Sequence, residues 1–139
     1  MQRLPEPAMS TRAATCSCGQ LTATVAENPV RVSVCHCLAC QRRTGSVFGA
    51  QARFRSEAVQ ITGESRQYTR VGDEGGESTF SFCPVCGATV YYQMKGHEGS
   101  IAIPVGAFAE PDFPSPTFSA YEERKHSWVV MPQGIEHMA

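Results

Sequence analysis

The chain has 139 residues, seven of them cysteine, and a formal net charge of −1 at pH 7. This length predicts one domain with a buried core. The near-neutral charge gives no reason to expect a nucleic acid or an acidic membrane as a partner, and no apolar run is long enough for a bilayer span.

The first segment, residues 1–13, is predicted to be a disordered tail because it contains Pro5 and Pro7 and has no apolar stretch of signal-peptide length. We therefore expect a cytoplasmic protein, in a reducing compartment where disulfides rarely persist. The cysteines then need a role other than disulfide pairing, and an odd number of them cannot all be paired.

Short stretches of alternating apolar and polar residues follow along the chain and predict strands. They cover residues 21–26, 31–34, 47–54, 59–62, 79–82, 89–93 and 100–105. One short helix is predicted over residues 38–43, ending at Gly45, and residues 72–76 (GDEGG) are predicted to be a hairpin tip between two strands. Residues 110–116 contain three prolines and predict an irregular connection. The pattern predicts a mainly β, antiparallel domain with little helix.

All seven cysteines fall into three short units, CSCG at 16–19, CHCLAC at 35–40 and CPVCG at 83–87. In an extended strand, side chains two residues apart point the same way, so Cys16 and Cys18 can present both sulfurs to one point. Cys83 and Cys86 have the spacing of a tight metal-binding turn. Gly87 allows the left-handed backbone that directs amides toward the sulfurs.

Zinc takes about four ligands, and structural zinc sites are filled entirely by protein side chains. The simplest division closes one site with Cys16, Cys18, Cys83 and Cys86. Three ligands then remain for a second site, Cys35, Cys37 and Cys40. Three protein ligands with a free fourth position are typical of a catalytic zinc. We therefore expect two zinc ions per chain.

Two other interpretations stay open at this point. Cys83 and Cys86 could form a redox pair, although no βαβ pattern surrounds them. Alternatively, both zinc sites could be structural, with His36 closing the second. In extended backbone the side chain of His36 points away from those of its neighbours, which favours a packing role. The remaining histidines and the acidic pair near the C-terminus are predicted to be exposed, and the single tryptophan is predicted to pack in the core or to form a ligand wall: His97, His126, His137, Glu122, Glu123 and Trp128.

The stretches CSCGQL, CHCLACQRRTGSVFGA and FCPVCGATVYY together resemble the glutathione-dependent formaldehyde-activating enzyme family, whose domain also occurs in centromere protein V. Weaker similarity continues in ITGESRQY, AIPVGAF and HSWVVMP, so the resemblance covers residues 14–132 and leaves 133–139 as a C-terminal tail. It implies a β-tent fold of packed antiparallel sheets. It also implies that the four-cysteine set holds a structural zinc and the three-cysteine set a catalytic one.

The resemblance further implies an activity, the joining of formaldehyde to glutathione to give S-hydroxymethylglutathione, formally a carbon–sulfur lyase reaction in reverse. The expected partners are glutathione or another small thiol, and a small aldehyde. The alternative is a non-catalytic zinc module that carries glutathione or binds a protein.

A glutathione site needs cationic or amide groups for two carboxylates. Arg42 and Arg43 follow the last cysteine of the second unit and are candidates, since a guanidinium matches a carboxylate. Thr44, Gly45 and Ser46 could add hydroxyl and backbone donors. The competing interpretation is that one arginine offsets the zinc–thiolate charge while the other is solvated. Gln41 stands where the family often has a basic residue.

Overall fold

The structure is a computed structural model that describes residues 11–72 and 75–139. Within these residues it contains eleven strands and one α-helix. In chain order they are β1 (Arg12–Thr15), β2 (Thr22–Val25), β3 (Arg31–Cys35), α1 (Leu38–Thr44), β4 (Gly49–Arg55), β5 (Val59–Thr62), β6 (Arg66–Val71), β7 (Glu77–Phe82), β8 (Thr89–Met94), β9 (Ser100–Pro104), β10 (Phe118–Ala120) and β11 (Glu136–His137).

The strands form two sheets. The small sheet has the order β1-β2-β5, and the large one has the order β11-β10-β3-β4-β9-β8-β7-β6. Neighbouring strands are antiparallel except around β10, which pairs in parallel with both β3 and β11. The prediction of a mainly β protein of packed antiparallel sheets is confirmed, and the parallel pairing of β10 is an exception at one edge. The long proline-containing connection before β10 allows the chain to return in the parallel direction.

The main core lies between the two sheets. Its largest fully buried side chains include Leu21, Phe54 and Ile103, and it incorporates Cys16 and Cys83. A second, smaller cluster of Phe80, Tyr92 and Ala102 is separate from this core. Ala102 alternates along β9 with Ile101 and Ile103, so the two clusters lie on opposite faces of that strand.

Both ends of the described chain contribute strands where the sequence predicted tails. Arg12 and Ala13 belong to β1 and pair with β2. Near the C-terminus, Ile135 is buried, and the amide of Met138 donates a hydrogen bond of 2.8 Å to the carbonyl of Ser119. These strands are very short and contain few large apolar residues, so no alternation marked them in the sequence. Of the tail predicted over residues 1–13, residues 1–10 lie outside the described residues.

The predicted helix is present and ends where expected. Gly45 adopts φ of 72° and its amide donates to the carbonyl of Gln41, which ends α1 in the left-handed conformation that glycine tolerates. Of the predicted hairpin tip, Asp73 and Glu74 lie outside the described residues, but Gly72 and Gly76 are joined by a 2.7 Å backbone hydrogen bond. No helix within the described ranges has the length and apolar character that a membrane crossing requires.

Candidate metal centres and the adjoining cavity

Four of the cysteines meet at one end of the core. The sulfurs of Cys16, Cys18, Cys83 and Cys86 all lie within 4.8 Å of one another. The Sγ atom of Cys18 is 3.6 Å from that of Cys16 and 3.6 Å from that of Cys83. Cys16 and Cys83 are buried, whereas Cys18 and Cys86 are exposed. The group therefore joins the loop after β1 to the loop after β7.

The two loops are built alike. In each, the amide of the buried cysteine bonds to the carbonyl five residues later, Cys16 to Leu21 and Cys83 to Ala88, both at 3.0 Å. Each loop also contains a glycine with positive φ, 85° at Gly19 and 81° at Gly87. The expectation that Cys16 and Cys18 share an extended strand is wrong, because Cys18 lies in the turn. Their sulfurs meet because the backbone folds back.

Hydrogen-bond donors surround the sulfurs of this group. The amide of Leu21 donates to Cys16 Sγ at 3.3 Å, and the amide of Val85 donates to Cys83 Sγ at 3.3 Å. Gln20 Nε2 also lies 3.0 Å from Cys83 Sγ. N–H groups aimed at sulfur stabilise the thiolate form, which is the form that binds metals.

The other three cysteines meet at the junction of β3 and α1. The sulfurs of Cys35, Cys37 and Cys40 lie within 4.8 Å of one another. Cys35 ends β3, and Cys37 is the N-cap of α1, its sulfur accepting a 3.3 Å hydrogen bond from the amide of Cys40. Within the described residues no histidine, aspartate, glutamate or further cysteine joins this group.

His36 points away from the three sulfurs. Its side chain is fully buried, Nε2 lies 2.9 Å from Ser119 Oγ, and the ring makes an edge contact with Phe48 at a centroid distance of 5.7 Å. Burial lowers the pKa of the His36 imidazole, so the ring is kept neutral in this apolar surrounding. This geometry agrees with the predicted packing role and disfavours His36 as a fourth ligand.

Charge near the three-cysteine group favours one thiolate. The pKa of the Cys40 thiol is lowered to about 5, first because Cys35 donates a hydrogen bond to it and further because Arg43 and Arg70 are positively charged neighbours. The same interaction, together with burial, raises the pKa of the Cys35 thiol. Hydrogen bonding and the nearby positive charge therefore favour the thiolate form of Cys40, which is the form that binds a cation.

A cavity of about 520 Å³ is lined in part by residues that are chain neighbours of the two cysteine groups. Ala39, beside Cys40, forms part of one wall, and Gly87, beside Cys86, forms part of another. The remaining lining residues are three arginines, three aromatic residues and one threonine: Arg42, Arg43, Arg70, Tyr68, Phe80, Phe82 and Thr89. Arg42 and Arg43 were predicted from the sequence as ligand contacts, and both line this cavity.

The other predicted contacts lie at the end of α1. Thr44 Oγ1 donates a 2.9 Å hydrogen bond to the carbonyl of Cys40 and accepts one of 3.0 Å from the amide of Ser46. Gly45 caps the helix. None of these three is among the residues that line the described cavity. In this geometry they shape the turn that follows the arginines.

Several cavity residues were missed from the sequence. Tyr68 and Arg70 alternate along β6, and Tyr68 pairs with Phe80 across the hairpin. The sequence offered one sign of this arrangement. Tyr68 and Arg70 are two residues apart on a strand that leads into the predicted hairpin tip, and alternate residues of a strand share a face. Gly49 was also missed. A Cβ atom there would lie 3.1 Å from Arg43 Nη2, so this glycine leaves room for the guanidinium.

The C-terminal region corrects the sequence expectation for Trp128. Trp128 is 69% exposed, so its prediction as a core residue is wrong, and it does not line the described cavity. His126 is exposed as predicted but lies 3.0 Å from Gln41 Oε1 and touches the Trp128 ring edge-on. Gln41 Nε2 in turn donates to the carbonyl of His36 at 2.9 Å. Gln41 therefore ties α1 to the C-terminal segment.

The donor chemistry of both cysteine groups fits zinc. Converging thiolates repel one another unless a cation lies between them, and sulfur ligands select soft or borderline ions such as Zn²⁺. The four-sulfur group matches a filled tetrahedral site, and the three-sulfur group matches a site with one position for another ligand. Fold and site together define a mainly β protein with two sulfur-rich groups that could hold metal ions.

Comparison with known proteins agrees with this class. Residues 11–124 match the family described as "Glutathione-dependent formaldehyde-activating enzyme", and the chain belongs to that family. A crystal structure of a Rhodobacter sphaeroides protein, a structural genomics target, is similar in fold, with a TM-score of 0.55 at 18% identity over 91% of this chain and 99% of that one. No curated protein matches the chain.

Proposed function

We propose that this protein is a zinc-dependent enzyme of the carbon–sulfur lyase type that forms or cleaves the adduct of glutathione with formaldehyde, or of a related thiol with a small aldehyde. Family membership supports a glutathione-related activity. The observation that carries the proposal is the convergence of Cys35, Cys37 and Cys40 beside a cavity lined by three arginines. A thiol of glutathione's size fits a cavity of about 520 Å³.

The proposal includes two zinc ions per chain. The structural ion would be held by Cys16, Cys18, Cys83 and Cys86. It would join two loops that are distant in the chain, since Cys18 and Cys83 are 65 residues apart in the sequence. Cys35, Cys37 and Cys40 would hold the second ion. When bound, that ion supplies a soft positive centre near which a thiol loses its proton readily. Thiols at both groups suit a reducing compartment, so we place the protein in the cytoplasm.

The residues around the cavity supply binding and orientation. Arg42 and Arg43 follow Cys40 on α1. A ligand whose carboxylate is bound by either arginine would therefore have its thiol close to the three sulfurs. Phe80 and Phe82 form an apolar wall that excludes water from the bound thiol. Holding thiol and aldehyde together in this way converts a bimolecular addition into an effectively unimolecular one.

The reaction balances without an oxidant or reductant. The thiol sulfur forms a bond to the carbonyl carbon, and the carbonyl π electrons move to oxygen. The thiol proton ends on that oxygen, giving a hydroxymethyl thioether. Cleavage is the reverse. A cavity arginine that holds no carboxylate would place positive charge near the developing alkoxide and stabilise it.

The structure favours these roles over a redox pair. Cys83 and Cys86 lie in a group of four sulfurs that also contains Cys16 and Cys18, all within 4.8 Å of one another. A dithiol redox centre needs two sulfurs and a route for exchange. Four converging sulfurs with N–H donors are instead typical of a structural metal site.

The test combines a metal count with a rate. We expect native protein to contain two zinc ions per chain by elemental analysis, and Cys37→Ser to contain one. Exchange between glutathione and its formaldehyde adduct, followed by NMR exchange spectroscopy, should exceed the spontaneous rate with native protein and return to that rate with Cys37→Ser.

A matched control is Ser17→Ala, which changes an exposed residue in a cysteine unit without removing a sulfur. It should keep both ions and full activity. Two zinc ions with exchange at the spontaneous rate would show a non-catalytic zinc module and reject the enzyme proposal.

A further inference from the structure

Arg42, Arg43 and Arg70 bring positive charge to one cavity, and none of the described residues that line it is acidic. The ion pairs among the described residues involve Arg12, Arg55, Lys95 and His137, and none includes a cavity arginine. The Cys40 thiolate offsets part of the charge of Arg43 and Arg70. Three arginines around one cavity still repel one another, so the arrangement favours an anion that enters the cavity.

Two of these arginines have donors without a partner. Arg43 Nε and Arg70 Nη1 are both buried and make no hydrogen bond to any residue in ranges 11–72 and 75–139. A buried donor that is left unsatisfied costs free energy, and such atoms are rare unless a ligand satisfies them. The two orphaned donors belong to residues that line the same cavity.

The same two guanidinium groups share an aromatic support. Arg43 Cζ is 5.0 Å from the centroid of the Phe80 ring, and Arg70 Cζ is also 5.0 Å from it. Arg43 is in addition 5.1 Å from the Tyr92 ring, which packs on Phe80 at 4.7 Å. Phe80 and Tyr92 are buried, so the support is rigid and preorganises both cations.

Both groups also lie within electrostatic reach of the three-cysteine site. Cys40 is buried beside them, and Gly49 leaves the space in which Arg43 extends next to the Cys40 Cβ. An anion held between Arg43 and Arg70 therefore lies close to the sulfurs without joining them. A flexible organic thiol can place its carboxylate between Arg43 and Arg70 and its sulfur at the three-cysteine site at the same time. A simple inorganic anion can occupy only one of these two positions.

We propose that Arg70 of β6, together with Arg43, binds a carboxylate of the thiol. Arg70 is then a specificity-determining residue that selects thiols with a carboxylate over neutral thiols. This inference rests on the proposed function in taking the ligand to be a thiol. Arg70 lies on β6 and outside all three cysteine units. Substrate selection would therefore come from a different part of the chain than the junction of β3 and α1, which holds the three sulfurs.

The test uses S-methylglutathione, which retains both carboxylates but has no free thiol, so its binding is independent of turnover. Calorimetric titration of the zinc-loaded full chain should show that Arg70→Gln weakens binding about ten- to a hundredfold, the value of one or two charged hydrogen bonds. Arg66→Gln is the matched control, because Arg66 lies on the same strand, is exposed and does not line the cavity. It should bind with native affinity.

Two further measurements make the result specific. Arg70→Lys should lose part of the affinity, since an ammonium keeps the charge but lacks the planar fork. Glutathione diethyl ester should bind native protein and Arg70→Gln equally weakly, because its carboxylates are blocked. Thermal unfolding and zinc content should be unchanged in both Arg70 variants, which separates a binding defect from misfolding.

The outcomes separate this inference from the proposed function. The inference would be overturned, even if the enzyme is active, if Arg70→Gln binds S-methylglutathione with native affinity. It would also be overturned if Arg70→Gln weakens binding of the diethyl ester as much as binding of S-methylglutathione. Binding that depends on Arg70, with adduct exchange at the spontaneous rate, would support the carboxylate site and reject the catalytic function.

Discussion

The two cysteine groups of this protein are built in different ways. The four-cysteine group joins two similar loops that are distant in the chain, and two of its cysteines belong to the main core. The three-cysteine group comes from six consecutive residues at the junction of β3 and α1, beside the cavity. We therefore expect removal of a sulfur from the first group to weaken the link between distant parts of the fold, and removal of one from the second to change a local site.

The largest expected effect is therefore at Cys83, which is fully buried in the core. Cys83→Ser should remove the four-sulfur ion and abolish a cooperative unfolding transition. Structural zinc contributes about 10–16 kcal/mol of binding free energy, comparable with the whole stability of a domain. Circular dichroism during heating, with zinc content measured in parallel, checks this.

The comparison variant is Cys37→Ser, which should keep a cooperative transition near the native temperature while losing one zinc ion. Equal destabilisation by the two substitutions would show that the groups contribute alike, and would contradict the proposed division into structural and reactive sites.

A smaller effect is expected at Gly63, which lies beside the four-cysteine group. Gly63 has φ of 103°, and a Cβ there would lie 1.9 Å from the carbonyl oxygen of Gln20. Gln20 also contacts Cys83 Sγ. Gly63→Ala should reduce the free energy of unfolding by about 3 kcal/mol or more, because it combines backbone strain with a steric clash.

Gly96→Ala is the control for backbone strain alone, since Gly96 has φ of 89° with no atom within 4 Å of the added Cβ. Its cost should be about 1 kcal/mol. Urea unfolding of both variants measures the difference. If the two lose equal stability, the close approach of Gln20 to Gly63 has no energetic consequence.

The smallest expected effect concerns the support behind the three-cysteine group. Hydrogen bonds from Ser119 and His137 lower the pKa of the Glu122 carboxyl below 4.5. Ser119 in turn contacts the buried ring of His36. A lowered carboxyl pKa contributes stability that is present above the ordinary value and is lost as the pH falls through the folded value.

Glu122→Gln should therefore be less stable than native protein at pH 7, and the difference should narrow as the pH falls below 4.5, the ordinary value of this group. Thermal unfolding across this pH range is the measurement. Glu123→Gln is the control, because Glu123 is exposed and has no ion pair among the described residues. A difference that is constant with pH would exclude the carboxylate charge as its cause.

Much of the fold was accessible from local pattern. Alternation predicted most strands of the large sheet, and Gly45 marked the end of the helix because glycine tolerates positive φ. The parallel pairing of β10 was not accessible, because it depends on which distant edge a three-residue strand meets. The exposure of Trp128 was missed for a similar reason, since residue type alone does not reveal which face of a loop meets solvent.

The sequence by itself determined which sulfurs could act together, because cysteine spacing and zinc's preference for four ligands restrict the divisions. Only the tertiary structure decided that Cys18 reaches its partners through a turn, and that the partner of His36 is Ser119. It alone placed Arg70 and Phe80 beside α1. Ligand spacing is local information, whereas a cavity arises from strand order and register, which join residues that the sequence keeps apart.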